Sequence, residues 1–394
     1  MISEEEARGK ILHHMAALPP RLVSLDEALD GFARRDLFAR LALPSFDNSS
    51  MDGYAVVAAS ATATDVRLKV TGEQPAGLDR NLRVSYGEAV RIFTGAPIPR
   101  GADAVIMQED VRVEGSEIIT TCAVEPGENV RRRGADVAEG QKLLSLGERI
   151  HPQTIALLAA QGLAEVEIGG AVRAAIISTG DELVPPGREL RAGQIYDSNS
   201  PLVRALLRKA GVQVTSVTHC ADSEKEIENA IRVGSASEVM IITGGVSVGV
   251  RDFVKTALQA IGASLDLWRV AVKPGKPFLF GRAGGCAIFG LPGNPVSAFV
   301  TFLLFVRPAI LKLMGANDEA LGFRQAGARL KGPLQNPGER PHYVRGTLRD
   351  GIFSPVGRQE SHAVFGLSRA NALMRLQAGE EVEDNAQVTA LIWE

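Results

Sequence analysis

Cysteine is scarce in this chain: three in 394 residues, at Cys122, Cys220 and Cys286, far apart and outside any Cys-x-x-Cys spacing. That excludes a disulfide scaffold and a thiolate zinc site, and the three read as small buried hydrophobes in a reducing compartment. Histidine is nearly as rare, six in all, and the adjacent His13 and His14 cannot share a helix face as paired metal ligands do. Neither charge dominates. The 43 basic and 46 acidic residues leave a net −3, so nothing global points to nucleic acid or to an anionic membrane. Long apolar runs are missing as well: the longest, Ala298–Val306, stops at Arg307-Pro308, too short for a bilayer. The opening Met-Ile-Ser-Glu-Glu-Glu is acidic, the opposite of a signal peptide. A soluble cytoplasmic protein without nucleic-acid or membrane partners is expected.

What is present is an ordinary globular composition, 45% hydrophobic and 23% charged, over a length that suits two to four domains of roughly 100–200 residues each. Capping boxes at Ser3/Glu6 and Ser24/Glu27 predict two N-terminal helices, the first carrying Ile11, Met15 and Leu18 and the second Ala28, Leu29 and Phe32. Past Pro44 the pattern turns to short strands, including Val66–Val70, Ala89–Phe93 and Ala104–Gln108, and a helix follows over Thr154–Gln161. From Val172 strands and helices alternate, as in βαβ units around a parallel sheet. The helices are read over Pro201–Lys209 and Ser223–Val233, the latter with a Ser223/Glu226 capping box. Asn294 is placed as the cap and Pro295 as the first residue of a long apolar helix. After about Gly327 the pattern is β again, predicting a small sandwich or barrel.

The stretch Val239–Asp252 carries the chemistry. A β-branched run ends at Gly244 and Gly245, which leave backbone N–H groups open for an anion before a helix begins at Asp252. Ligands in open α/β sheets bind beyond the carboxyl ends of strands, and the Thr-Gly-Asp-Glu, Gly-Gly-Val-Ser and Lys-Pro-Gly-Lys segments all follow strand ends. They are expected to converge. Gly245-Val246-Ser247-Val248-Gly249 also fits the nucleophile elbow of a serine hydrolase, with His342 or His362 as base. Against it, Val-Gly-Val separates the serine from the helix, and both histidines fall past the sheet.

The chain resembles the molybdopterin molybdenumtransferase family, the bacterial MoeA proteins and the E domain of gephyrin. The resemblance rests on NSSMDGYA (Asn48–Ala55), TGAPIPRGADAV (Thr94–Val105), RRRGADVAEG (Arg131–Gly140) and STGDEL (Ser178–Leu183). It continues with GQIYDSN (Gly193–Asn199), TGGVSVGVRD (Thr243–Asp252), VKPGKP (Val272–Pro277) and LPGNPVSA (Leu291–Ala298). It implies a multidomain α/β and β fold in a homodimer. Residues 1–40 with 141–170 would form a linking domain, 41–140 an inserted β-rich domain, 171–326 a three-layer α/β molybdopterin-binding domain, and 327–394 a C-terminal β-barrel. The implied reaction takes adenylylated molybdopterin and molybdate, releases AMP and leaves molybdenum on the dithiolene, with magnesium assisting and a molybdopterin adenylyltransferase as upstream donor.

The residues suit that chemistry. Molybdate is a tetrahedral dianion, for which Lys273, Lys276 and the amides of Gly293 and Asn294 offer charge and donors. A phosphoanhydride needs a hard cation on oxygen ligands, and Asp181, Glu182 and Asp252 lie on neighbouring loops. The family pattern marks Glu182 and Asp252 as first choices for catalysis and metal. It adds Asp52, Thr94 and Asp136 from the inserted domain, reaching across the dimer. It also adds Asp222, Ser247 as a pterin or phosphate contact, and Arg345 and Ser361 as an anion-contacting pair. Plainer readings stand beside these. Asp181 and Glu182 also read as turn caps, Asp222 as the residue before a helix cap, and Pro292 and Pro295 as helix initiators as much as ligand contacts. The rival functions are a molybdopterin adenylyltransferase, a non-enzymatic molybdopterin-binding scaffold and, remotely, the Ser247 hydrolase.

Overall fold

The computed structural model describes residues 1–245 and 253–393. The chain forms two compact units. One comprises residues 1–35, 146–155 and 165–394, the other residues 36–145 and 156–164.

Helix α1 (Glu4–His13) starts as its capping box dictates, with Ser3 Oγ accepting from the Glu6 N–H at 3.0 Å. It ends earlier than its apolar pattern suggested. Met15 is buried beyond the helix, and the Leu18 N–H donates to the Leu313 carbonyl, so the chain has left helical geometry to cross a neighbouring element. The expected second helix does not form. Strand β1 (Arg21–Ser24) is followed by a single 3-10 turn over Asp26–Ala28. There the Asp30 N–H is taken by Ile150 and the Ala33 N–H by Glu148, so tertiary pairing overrides the capping signal.

The smaller unit holds a six-stranded sheet of β2 (Gly53–Val56), β3 (Arg67–Gln74), β4 (Glu88–Ile92), β5 (Ala104–Met107), β6 (Val111–Glu114) and β7 (Glu117–Thr120). Its order is β5-β2-β4-β3-β7-β6, and only β3 and β4 pair in parallel. Helix α2 (Pro152–Ala160) falls where its sequence placed it, and β8 (Glu165–Ile168) pairs antiparallel with β1.

The α/β sheet is built from β9 (Arg173–Thr179), α3 (Asn199–Lys209), β10 (Gln213–Cys220), α4 (Glu224–Gly234), β11 (Val239–Thr243), α5 (Phe253–Ala260), β12 (Ser264–Arg269), β13 (Pro277–Ala283) and β14 (Cys286–Leu291). Its order is β10-β9-β11-β14-β13-β12. The first four strands are parallel, and β13 and β12 are added antiparallel at the far edge. Alternation along β9 and β11 splits the core in two. Ile176 and Ile241 pack with α3, whereas Ile177 and Ile242 pack with α4 and α5. Two cysteines are buried here, Cys220 and Cys286, and burial pushes the Cys286 thiol up to about 12. The Ser223/Glu226 capping box does not close: the Ser223 side chain makes no cap bond, and the Glu226 carboxylate accepts from the Ala221 N–H instead.

The apolar helix α6 (Pro295–Leu313) runs through Arg307-Pro308 rather than stopping there. Proline lacks the N–H for an i→i−4 bond and its ring crowds the preceding turn. The helix widens to a π-helical stretch over Phe302–Val306 just before it, which makes the room. By length and composition α6 passes for a membrane span, yet it is buried inside the molecule, with Phe305 against Phe278 at 4.7 Å between ring centres.

A closed five-stranded barrel follows: β15 (Arg324–Leu330), β16 (His342–Arg349), β17 (Ile352–Pro355), β18 (Ala372–Leu376) and β19 (Gln387–Ile392), in the order β15-β17-β16-β18-β19. Helix α1 is pinned to it. The buried Tyr343 hydroxyl donates to Glu4 Oε1 at 2.6 Å, and Arg375 Nε reaches Glu4 Oε2 at 3.3 Å. Burial, then the Glu4 carboxylate, push the Tyr343 phenol well above its usual range. Tyr343→Phe is expected to lower the unfolding free energy of this unit by about 1–2 kcal/mol in denaturant titrations. The phenol's pKa is raised in the folded state, so its contribution is complete below about pH 10 and fades as pH rises. The variant should therefore show a flatter alkaline loss of stability than the wild type.

Candidate active site

The parallel register brings four strand ends to one edge. Thr179 pairs across from Cys220, Ser178 from Thr243, and Thr243 from Leu291. The loops that leave them, Gly180-Asp181-Glu182, Ala221-Asp222, Gly244-Gly245 and Pro292-Gly293, surround a cleft of about 380 Å³. Pro277, at the start of β13, closes the side next to the Lys-Pro-Gly-Lys segment.

Gly244 and Gly245 turn the chain with φ of +84° and +64°. Side chains are excluded there. A Cβ on Gly244 would lie 2.5 Å from the Thr179 carbonyl oxygen, and one on Gly245 would lie 2.7 Å from Thr179 Oγ1 and 2.8 Å from Val254. Thr179 Oγ1 is buried on the cleft wall with no hydrogen-bond partner among the described residues. Ser247 and Asp252, the next two candidates along this loop, lie outside the described residues.

The acidic residues meet at the cleft. Asp181 Oδ1 accepts from the Asp222 N–H at 3.0 Å. Burial first, then the charges of Asp181 and Glu182, raise the Asp222 carboxyl above its ordinary value. The Glu182 carboxylate folds back over Gly180, occupying the space a Cβ there would need. Asp181 and Glu182 put negative charge beside the Asp222 carboxyl, the oxygen-rich chemistry that suits a hard cation. Among the described residues no group of three His, Cys, Asp or Glu side chains is arranged to hold a metal ion. Mg²⁺ needs none, since it is held by one or two carboxylates with water and phosphate oxygens.

The positive groups cluster beside the barrel. The Lys273 N–H donates to the Pro341 carbonyl and the Lys273 carbonyl accepts from Tyr343, so the lysine's backbone is stitched to β16. Lys276 is exposed on the same loop; neither lysine lines the 380 Å³ cleft itself. His342 sits in this cluster, and burial, then Lys273, Arg345 and Arg340, push its imidazole down to about 4. A ring so reluctant to take a proton is a poor general base, which counts against His342 as the base of the hydrolase reading.

Arg345 does not face solvent. It is fully buried, and its guanidinium donates to the carbonyls of Arg358, Glu360 and Ala363, three residues of the loop that carries Ser361. Instead of contacting an anion it holds that loop. Ser361 in turn accepts from Asn294 Nδ2 at 2.9 Å and, through its carbonyl, from the Val296 N–H at 3.1 Å. Asn294 thus bonds to the barrel and does not cap α6 with its side chain, while Pro295 begins the helix as its fixed φ allows.

Two residues escaped the sequence reading. Asn199 Nδ2 donates to the Gly293 carbonyl at 2.7 Å and so sets the Pro292-Gly293 turn; its place in GQIYDSN was the available signal. Arg340 donates from Nη1 to the Val272 carbonyl at 2.8 Å, beside Lys273, and an arginine preceding a proline at a strand entrance carries no pattern of its own.

Asp52, Thr94 and Asp136 belong to the smaller unit. The Asp52 carboxylate accepts from both the N–H and the hydroxyl of Thr94, at 2.8 and 2.9 Å, and these bonds hold it below the usual range. Asp136 is exposed, with its N–H bonded to Leu43.

Three family descriptions match the chain in succession: the MoeA N-terminal region (domain I and II) over residues 2–162, a probable molybdopterin binding domain over 175–312, and the MoeA C-terminal region (domain IV) over 327–393. The chain belongs to the MoeA family. A molybdopterin molybdenumtransferase of Haemophilus influenzae is 42% identical over 80% of this chain and 78% of its own length. Molybdopterin molybdenumtransferase 2 of Mycobacterium tuberculosis is 35% identical over the whole of both chains. The crystal structure of the molybdopterin biosynthesis MoeA protein from Pyrococcus horikoshii OT3 superposes over the whole of both chains at 28% identity, with a TM-score of 0.87. The multidomain MoeA-type fold, with its α/β domain and terminal barrel, is therefore that of this chain.

Two outcomes follow from the cleft's geometry. Gly244→Ala forces an L side chain into the left-handed region against a backbone carbonyl, and should cost on the order of 1–3 kcal/mol in chemical unfolding. Asp222→Asn removes a carboxylate whose ionisation the fold disfavours. It should raise the melting temperature at neutral pH, and the gain should shrink as pH falls through the raised Asp222 pKa.

Proposed function

We propose that this chain is a molybdopterin molybdenumtransferase, which inserts molybdate into adenylylated molybdopterin and releases AMP. The observation that carries the reading is the meeting of Asp181, Glu182 and Asp222 with an open glycine turn at the ends of parallel strands. The names of the relatives supply the substrate class. The raised Asp222 carboxyl marks a cluster short of positive charge. Magnesium bound there would supply charge for the phosphoanhydride oxygens. Asp181 and Glu182 are the proposed holders, with Asp252 of the following loop as third.

The chain's own residues do the rest of the work in this proposal. Gly244 and Gly245 let the backbone approach a phosphate closely. Lys273, Lys276 and Arg340 provide the field that draws molybdate, with Gly293 and Asn294 held by Asn199 and Ser361 as the donor edge. Arg345 acts at one remove, by fixing the Ser361 loop. Asp52 with Thr94, and Asp136, are proposed to take part in the same reaction. A cytoplasmic homodimer fed by a molybdopterin adenylyltransferase completes the proposal.

The test is AMP release from adenylylated molybdopterin, with and without molybdate and magnesium. Wild type should require both, and Glu182→Ala should lose about 100-fold or more in rate. Binding of the pterin with AMP release indifferent to molybdate would sink the transferase reading and leave a carrier.

A further inference from the structure

A second and larger cavity, of about 490 Å³, opens on the opposite face of the sheet from the carboxylate cleft. Successive strand residues point to opposite faces. Thr179 lines the carboxylate cleft with α4 and α5 residues, whereas Ser178 lines this cavity with α3. Part of its wall is apolar: Pro185, Pro186, Pro201, Ala205 and Val217.

Its polar groups are Ser178, Asp197, Ser200, Arg204, Arg208 and His219. Arg204 and Arg208, four residues apart on α3, both line the cavity, both are exposed, and neither guanidinium makes an ion pair or hydrogen bond among the described residues. The amide end of α3 is not the attraction, because Asp197 already caps it. Its two carboxylate oxygens accept from the Ser200 N–H at 3.0 Å and the Ser200 hydroxyl at 2.6 Å. Asp197 is buried, and a carboxylate with two bonds filled keeps acceptor capacity for ligand N–H or O–H donors. His219 Nδ1 is engaged with Ser178 Oγ at 3.3 Å on the floor.

A ligand here meets an apolar wall at the prolines and Val217, can bring hydrogen-bond donors to Asp197, and can end in an anion at the two unpaired guanidiniums. Two arginine forks one turn apart match the three oxygens of a phosphate better than a lone carboxylate. We infer that this cavity is a binding site for a phosphomonoester whose flat ring carries N–H donors, a purine nucleotide or a pterin phosphate. The site rests on no reading of the reaction in the carboxylate cleft.

Calorimetric titration of the full chain with guanosine 5′-monophosphate, neopterin monophosphate and inorganic phosphate tests it. Saturable binding of at least one ring compound is expected, at least about tenfold tighter than inorganic phosphate, and weakened at least about tenfold by Arg204→Ala/Arg208→Ala. Which ring compound binds tighter identifies the source. Both arginines are exposed, so the double variant should melt with the wild type. Should it fail to fold, Val217→Glu, on the exposed edge strand, must weaken the same binding. No binding at about 1 mM, binding equal to that of inorganic phosphate, or binding indifferent to these substitutions would overturn the site.

Discussion

The close approach of the Gly244-Gly245 turn to Thr179 is the constraint on which the cleft depends. With no room for a Cβ at either glycine, β11 can end flush with β9 and turn against Thr179 at the strand ends. The same closeness leaves Thr179 Oγ1 buried and unpartnered and brings Val254 against the turn. Around it, parallel register does the collecting. Asp181 and Asp222 are 41 residues apart in sequence yet share a hydrogen bond, because the strands before them end side by side.

The parts of this molecule that were legible in its sequence are those where a local signal and a global pairing agree. The alternation after Val172 reads as parallel α/β because β-branched runs, glycine turns and amphipathic helices each point the same way, and the strands fall within a few residues of their patterns. The terminal barrel was legible for the same reason. Where a cap signal stood alone it failed. Ser24 and Glu27 bracket only one tight turn because Asp30 and Ala33 are claimed by a distant strand-like segment, and Ser223 leaves its cap to be replaced by a bond from Ala221 to Glu226. Single-residue capping is worth about 1 kcal/mol, less than the backbone pairing that competes with it.

The site shows the same division. Carboxylates and glycines at strand ends could be placed from topology, since a parallel sheet has one functional edge. Arg345 could not, because a buried arginine and a ligand-binding arginine are spelled alike. Only the carbonyls of Arg358, Glu360 and Ala363 around it distinguish a group that shapes a loop from one that meets a ligand. Asn199 was hidden for a related reason: its partner is a backbone carbonyl 94 residues away, and no spacing rule connects them.

The pin between α1 and the barrel sets an order of events on the chain. Glu4 is bonded to Tyr343 and Arg375, 339 and 371 residues further on. During synthesis at roughly 5–20 residues per second, α1 leaves the ribosome tens of seconds before its partners exist. Its apolar face, with Ala7 and Ile11, must remain uncovered or be shielded by something else until the α/β sheet is complete, and Glu4 stays a solvated carboxylate until the barrel closes over it. A helix made early is therefore locked late, and the barrel acts as the clasp of the larger unit.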